Sequence, residues 1–112
     1  MKLYTCPVCA YSRMPYPIEE GNICPCCGTE FGYDDMDATY REVRDRWVGA
    51  GTPWFSPIDA PPLLWNGIVQ LVGAEYEFTP PTWLAATVIQ SALERLKGTP
   101  AVGFTLSFDA AA

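Results

Sequence analysis

Apolar positions along the chain change their period three times. Over residues 1–33 every short apolar run is broken by Pro7, Pro15, Pro17, Pro25, Gly21, Gly28 or Gly32, a pattern of turns and loops with at most short strands at 3–5 and near Ile23. From Asp37 the period becomes helical. Tyr40, Val43 and Trp47 fall at i, i+3 and i+7, Arg41 with Asp45 and Glu42 with Arg46 stand four apart, and Gly49 and Gly51 stop a helix expected over 37–48. Pro53, Pro57, Pro61 and Pro62 then exclude regular structure up to about Leu63, while Trp54, Phe55 and Trp65 supply apolar surface for a segment that wraps and covers. Asn66-Gly67 suits either a hairpin turn or the cap of a short helix through Val72.

The last stretch has strand period at both ends. Ala74, Tyr76 and Phe78 alternate with Glu75 and Glu77, and Val102, Phe104, Leu106 and Phe108 alternate with small or polar residues. Between them, 82–97 carries an apolar stripe of Leu84, Val88, Ala92 and Leu96, entered through Pro80-Pro81 and left through Gly98 and Pro100. The pattern predicts an α+β chain in three parts: a cysteine-knuckle module at 1–35, a helix with its Pro/aromatic wrap at 36–72, and a strand–helix–strand unit at 73–112, folded together as one compact unit.

Chemistry enters with the cysteines. Cys6-Pro7-Val8-Cys9 and Cys24-Pro25-Cys26-Cys27-Gly28 form a C-x2-C pair repeated after fourteen residues. Two-residue spacing lets both thiolates of a turn reach one tetrahedral ion, and two such turns close its coordination shell. The spacing thus nominates Cys6, Cys9, Cys24 and Cys27 as ligands of a structural zinc ion, with iron as the alternative because both metals accept four sulfurs. Cys26 is left over, either as an apolar spacer whose N–H faces a ligand sulfur or as a reactive thiol. A thioredoxin-like redox turn would need a helix starting at the first pair, which Pro15 and Pro17 oppose.

Composition narrows the function classes. With 7 Lys+Arg against 13 Asp+Glu the formal charge is −6, moving to about −8 with a four-thiolate divalent site, so nucleic acid is not expected as a partner. No apolar run reaches the ~18 residues of a membrane span, and MKLYTCPV carries no signal core, so a soluble cytoplasmic protein with reduced thiols is expected. With 0 histidines, His-based catalysis and mixed Cys/His zinc ligation are excluded, and no phosphate-binding glycine loop is present. Asp34, Asp35 and Asp37 are read as complementing the following helix N-terminus rather than as an acid/base site, and Glu75 and Glu77 as a solvated strand face. No catalytic residue is nominated. Trp47, Trp54, Phe55, Trp65 and Trp83 are expected mostly to close a core over the metal site.

YTCPVC, ICPCCGTEFGYDD, RDRW, GTPWFSP, PPLLWN and Gln70-Leu71, over residues 3–72, together resemble the bacterial cysteine-rich CPCC-type proteins, and the two knuckles resemble those of zinc ribbons and rubredoxins. The resemblance implies a small metal-binding protein and no particular activity. Ala10 stands where the first knuckle of that pattern has glycine, and Gly67 where proline commonly follows Asn; the proline favours a helix cap at Asn66 over a hairpin. The expected role is therefore non-catalytic, a protein-interaction or regulatory module meeting a protein partner or its own copy. A rubredoxin-like electron carrier is the alternative, and a thiol-redox enzyme using Cys26 a third possibility.

Overall fold

The computed structural model describes residues 2–82. The helix expected over 82–97 and the strand over 102–108 lie outside the described residues, as does Trp83. Among the described residues regular structure consists of two helices, α1 (Tyr40–Gly49) and α2 (Gly67–Gly73), and two isolated antiparallel bridges, Tyr4 with Met14 and Ile23 with Glu30. The bridges fall where short strands were expected, but each is a single rung closing one cysteine loop, not a zinc-ribbon strand pair.

The two loops repeat each other eighteen residues apart. Cys6 N–H donates to the Tyr11 carbonyl and Cys24 N–H to that of Thr29, while the N–H groups of Ala10 and Gly28 return to the carbonyls of Cys6 and Cys24. This return requires a left-handed residue, and Ala10 (φ 72°) and Gly28 (φ 79°) occupy the same step. Only Gly28 has a steric reason as well, since a Cβ there would lie 2.5 Å from the Phe55 ring.

α1 starts later than its apolar period suggests because Thr39 provides a complete capping box. Its Oγ1 accepts from Glu42 N–H at 3.1 Å, and Glu42 Oε1 accepts from Thr39 N–H at 2.8 Å. Glu42 is thereby used at the cap, while Arg41 and Asp45 form the expected i,i+4 pair at 3.4 Å. Trp47 and Val48 are buried, Val43 partly so, and Tyr40 faces out. The aspartates before the helix have a different task from the one their position suggests. Asp34 Oδ2 accepts from Glu30 N–H and Asp35 Oδ1 from Gly32 N–H, each at 2.7 Å, so both brace the loop that follows the second knuckle.

Asn66 is a helix cap and no hairpin forms: its side chain accepts from Val69 N–H at 3.0 Å. Glycine follows because a Cβ at position 67 would meet Thr52 Cβ at 2.5 Å and the Trp47 ring at 2.9 Å, letting the start of α2 press against α1. Both helices end in the same way. Gly51 and Thr52 return their N–H groups to Val48 and Trp47, and Glu75 and Tyr76 return theirs to Val72 and Leu71, the paired bonds of a Schellman motif. The left-handed position is glycine in the first (φ 96°) and Glu75 in the second (φ 60°). This motif replaces the strand expected over 74–78: Ala74, Glu75 and Tyr76 are consumed in ending α2, and Phe78 alone of that apolar series is wholly buried.

The proline-rich segment wraps as expected. Phe55 and Ser56 N–H groups donate to the Cys26 and Pro25 carbonyls, laying the segment along the second knuckle. Trp54 meets Tyr11 and Trp65 edge-on at 5.4 and 5.3 Å, and Trp65 continues to Trp47 at 6.3 Å, giving one aromatic run from the first knuckle to α1. Among the described residues each indole N–H is satisfied, Trp47 by the Pro53 carbonyl, Trp54 by that of Asp59 and Trp65 by Gln70.

Candidate metal centre

Two knuckles of like conformation, packed face to face, bring the sulfurs of Cys6, Cys9, Cys24 and Cys27 within 4.8 Å of one another, and the group can hold a metal ion. Cys6 and Cys27 are 3.8 Å apart and Cys9 and Cys24 3.7 Å, far beyond the ~2.05 Å of a disulfide bond. A tetrahedron with metal–sulfur bonds of about 2.3 Å has an edge of about 3.8 Å. The donor set therefore fits a tetrathiolate ion in number, kind and separation. Cys26, although it interrupts the second pair, stands outside this group and is fully buried.

Electrostatics support the same conclusion. Contacts with the neighbouring sulfurs, Cys24 first, push the Cys6 and Cys9 thiols far above the ordinary thiol range, with burial adding to both. The same neighbours, again Cys24 first, then Cys6 and Cys9, hold Cys27 far below it, with the Thr29 hydroxyl at 3.1 Å also stabilising its charge. Negative charge on Cys6 and Cys9 is thus opposed by the sulfurs beside them and by burial, while Cys27 is the thiol whose charge the cluster favours. A cation at their centre would offset that opposition, and its binding would displace protons.

The surrounding shell comes from distant sequence. The Arg44 guanidinium donates to the Pro7 carbonyl at 2.9 Å and the Val8 carbonyl at 2.6 Å, reaches the Glu77 carbonyl at 2.7 Å, and lies 4.6 Å from the centre of the Tyr76 ring. Because the Pro7–Val8 peptide is trans, holding its carbonyl toward Arg44 aims its N–H the other way, where it donates to Cys6 Sγ at 3.4 Å. Gln70 does the equivalent from α2: its Nε2 donates to the Cys9 carbonyl at 2.8 Å and lies 3.5 Å from Cys26 Sγ, while its Oε1 accepts from Trp65. Cys26 is thus a packed, hydrogen-bonded spacer facing α2. Sequence reasoning quoted Arg44, in RDRW, and Gln70 among the motifs of the resemblance but gave neither a role at the cysteine site. Their one visible signal was position, a polar residue flanked on the helix by apolar ones.

These features define a class, a double-knuckle protein with a four-cysteine centre wrapped by two short helices and an aromatic loop. The chain is 31% identical over 88 residues to the uncharacterised protein YoaQ of Bacillus subtilis (strain 168), an alignment covering 59% of this chain and 75% of that protein, and it belongs to the same family. No family model matches the chain, and no solved structure does.

Proposed function

We propose that Cys6, Cys9, Cys24 and Cys27 hold one zinc ion as a closed structural site, and that the protein is a non-catalytic cytoplasmic module built around it. The observation that carries this reading is the pair of sulfur separations, 3.7 and 3.8 Å, at the edge length of a tetrathiolate tetrahedron. A closed shell leaves no position for substrate or water, so the ion would supply folding energy, about 10–16 kcal/mol on the scale of structural zinc, to two loops whose own regular structure is one bridge each. The motifs shared with CPCC-type proteins support the same role. Chelator titration tests it: removing the metal is expected to abolish the tertiary circular dichroism of the packed Trp47, Trp54 and Trp65, and a chain that keeps its signal without metal contradicts it. A colourless one-zinc protein is expected, whereas a red protein with reversible one-electron chemistry would establish the iron alternative.

A second observation favours an interaction role. Phe55, Ile58, Leu63 and Leu64 are 55, 90, 93 and 81% exposed on the proline-rich loop, and Leu64 has the left-handed φ of 59°. Four large apolar side chains exposed on one loop offer a surface that a partner can cover. We infer that this loop is an interaction surface, for a protein partner or a second copy of the chain, and the second copy is the occupant tested first. Light scattering is expected to show a concentration-dependent dimer that Leu63→Asp with Leu64→Asp abolishes; a monomer at every concentration overturns the second copy as occupant.

A further inference from the structure

The four sulfurs are unequally shielded. Cys6, Cys9 and Cys24 are wholly buried, whereas Cys27 keeps partial exposure. Gln70 and Tyr76 close over the first knuckle, through the Cys9 and Cys6 carbonyls respectively, and the Phe55 ring lies against Gly28. Cys27 instead lines a cavity of about 310 Å³ between the second knuckle and α1, walled by Thr29, Asp34, Arg46, Trp47 and Ala50 among others. A second hollow of about 310 Å³ shares Asp34 and Arg46 with it and is lined besides by Tyr33 and Met36, both well exposed.

We propose that this cleft is the port through which the metal ion is exchanged, and that Cys27 is the ligand displaced first, by a low-molecular-weight thiol entering along the Arg46–Asp34 side. The proposal rests on the zinc reading of the four-cysteine centre. In the exchange, the incoming sulfur would bond to an ion held by Cys6, Cys9 and Cys24 as the Cys27–metal bond broke, and the proton released by the incoming thiol would pass to Cys27; no electrons change hands. Thr29, 3.1 Å from Cys27 Sγ, is placed to steady that sulfur as it leaves. Cys6, Cys9 and Cys24 remain in place, so the fold survives the first step.

The test uses the full zinc-loaded chain and follows transfer of zinc to 4-(2-pyridylazo)resorcinol, with and without added glutathione. Glutathione is expected to accelerate release. Ala50→Trp, which puts bulk into the cleft from an exposed helix-end position, is expected to slow the glutathione-dependent rate at least fivefold without changing zinc affinity, whereas Ala60→Trp on the exposed loop leaves it unchanged. Independently of any variant, iodoacetamide labelling of the loaded wild-type chain, mapped by mass spectrometry, is expected to mark Cys27 first among the four ligand sulfurs. First labelling at Cys6, Cys9 or Cys24, or a folded Ala50→Trp chain that releases zinc at the wild-type rate, overturns the port. A chain that takes up no zinc overturns the metal reading instead, which is a separate result.

Discussion

Replacing Arg44 with Lys keeps one positive charge at the same place on α1 and removes the forked donor geometry. Arg44 makes three hydrogen bonds of 2.6–2.9 Å to main-chain carbonyls that come from both ends of the described chain, Pro7 and Val8 on one side and Glu77 on the other, and it stacks on Tyr76. A lysine ammonium is a point donor on a flexible stem and reaches one such carbonyl well, not three. Hydrogen bonds from a charged donor contribute about 1.5–3 kcal/mol each and are not additive, and Arg44 is only partly buried, so the expected loss is about 2 kcal/mol for Arg44→Lys and about 3 kcal/mol for Arg44→Ala. Urea denaturation of the zinc-loaded chain, read by tryptophan fluorescence, measures it through the midpoint at constant slope. A loss under 0.5 kcal/mol for Arg44→Lys, on the order of an ordinary surface substitution, would refute the claim that the fork organises the first knuckle. Since the Pro7 carbonyl and Val8 N–H belong to one peptide, faster zinc release is expected in both variants.

Other substitutions probe the turns and caps. Glu75→Gly relieves a left-handed φ of 60° at the end of α2, and Ala10→Gly one of 72° in the first knuckle; each is expected to raise stability by about 0.5–1 kcal/mol in thermal melts of the metal-loaded chain. Gly67→Ala is expected to destabilise by about 1–3 kcal/mol, because its Cβ would lie 2.5 Å from Thr52 and 2.9 Å from Trp47. Thr39→Ala removes the cap acceptor and is expected to cost about 1 kcal/mol. The Glu42 carboxyl is held below its ordinary value of 4.5, first by the Thr39 backbone N–H, so its contribution is complete above that value and disappears as pH falls through the lower folded value. The stability difference between wild type and Glu42→Gln should therefore be flat from neutral pH to about 4.5 and shrink below it; a difference that grows on acidification contradicts the capping box.

The grouping of the four cysteines was legible because C-x2-C spacing is local: such a turn carries its own geometry wherever it is folded. The middle of α1 was legible for the same reason, whereas Asn66-Gly67 suited a hairpin and a helix cap equally, and only the family's proline after Asn favoured the cap. The missed features are long-range or backbone-dictated. Nothing near Arg44 in sequence announces that Pro7 and Val8, thirty-six or more positions away, need donors, and nothing near Gln70 announces Cys9, sixty-one positions away. The alternation of Ala74, Glu75, Tyr76, Glu77 and Phe78 has strand period, yet a Schellman ending also reverses side-chain direction over a few residues, and without a glycine at its left-handed position it left no sequence mark. Asp34 and Asp35 were assigned to the helix because they precede it, whereas the N–H groups nearest them belong to the loop they terminate.

The central claim, one metal ion closed by Cys6, Cys9, Cys24 and Cys27 with Cys26 outside the shell, is tested most directly by native mass spectrometry of the purified wild-type, Cys26→Ser and Cys24→Ser chains. The expected result is one zinc per chain in the wild type and in Cys26→Ser, and none retained in Cys24→Ser. A wild type without metal, or a Cys26→Ser chain that alone has lost it, would contradict the account.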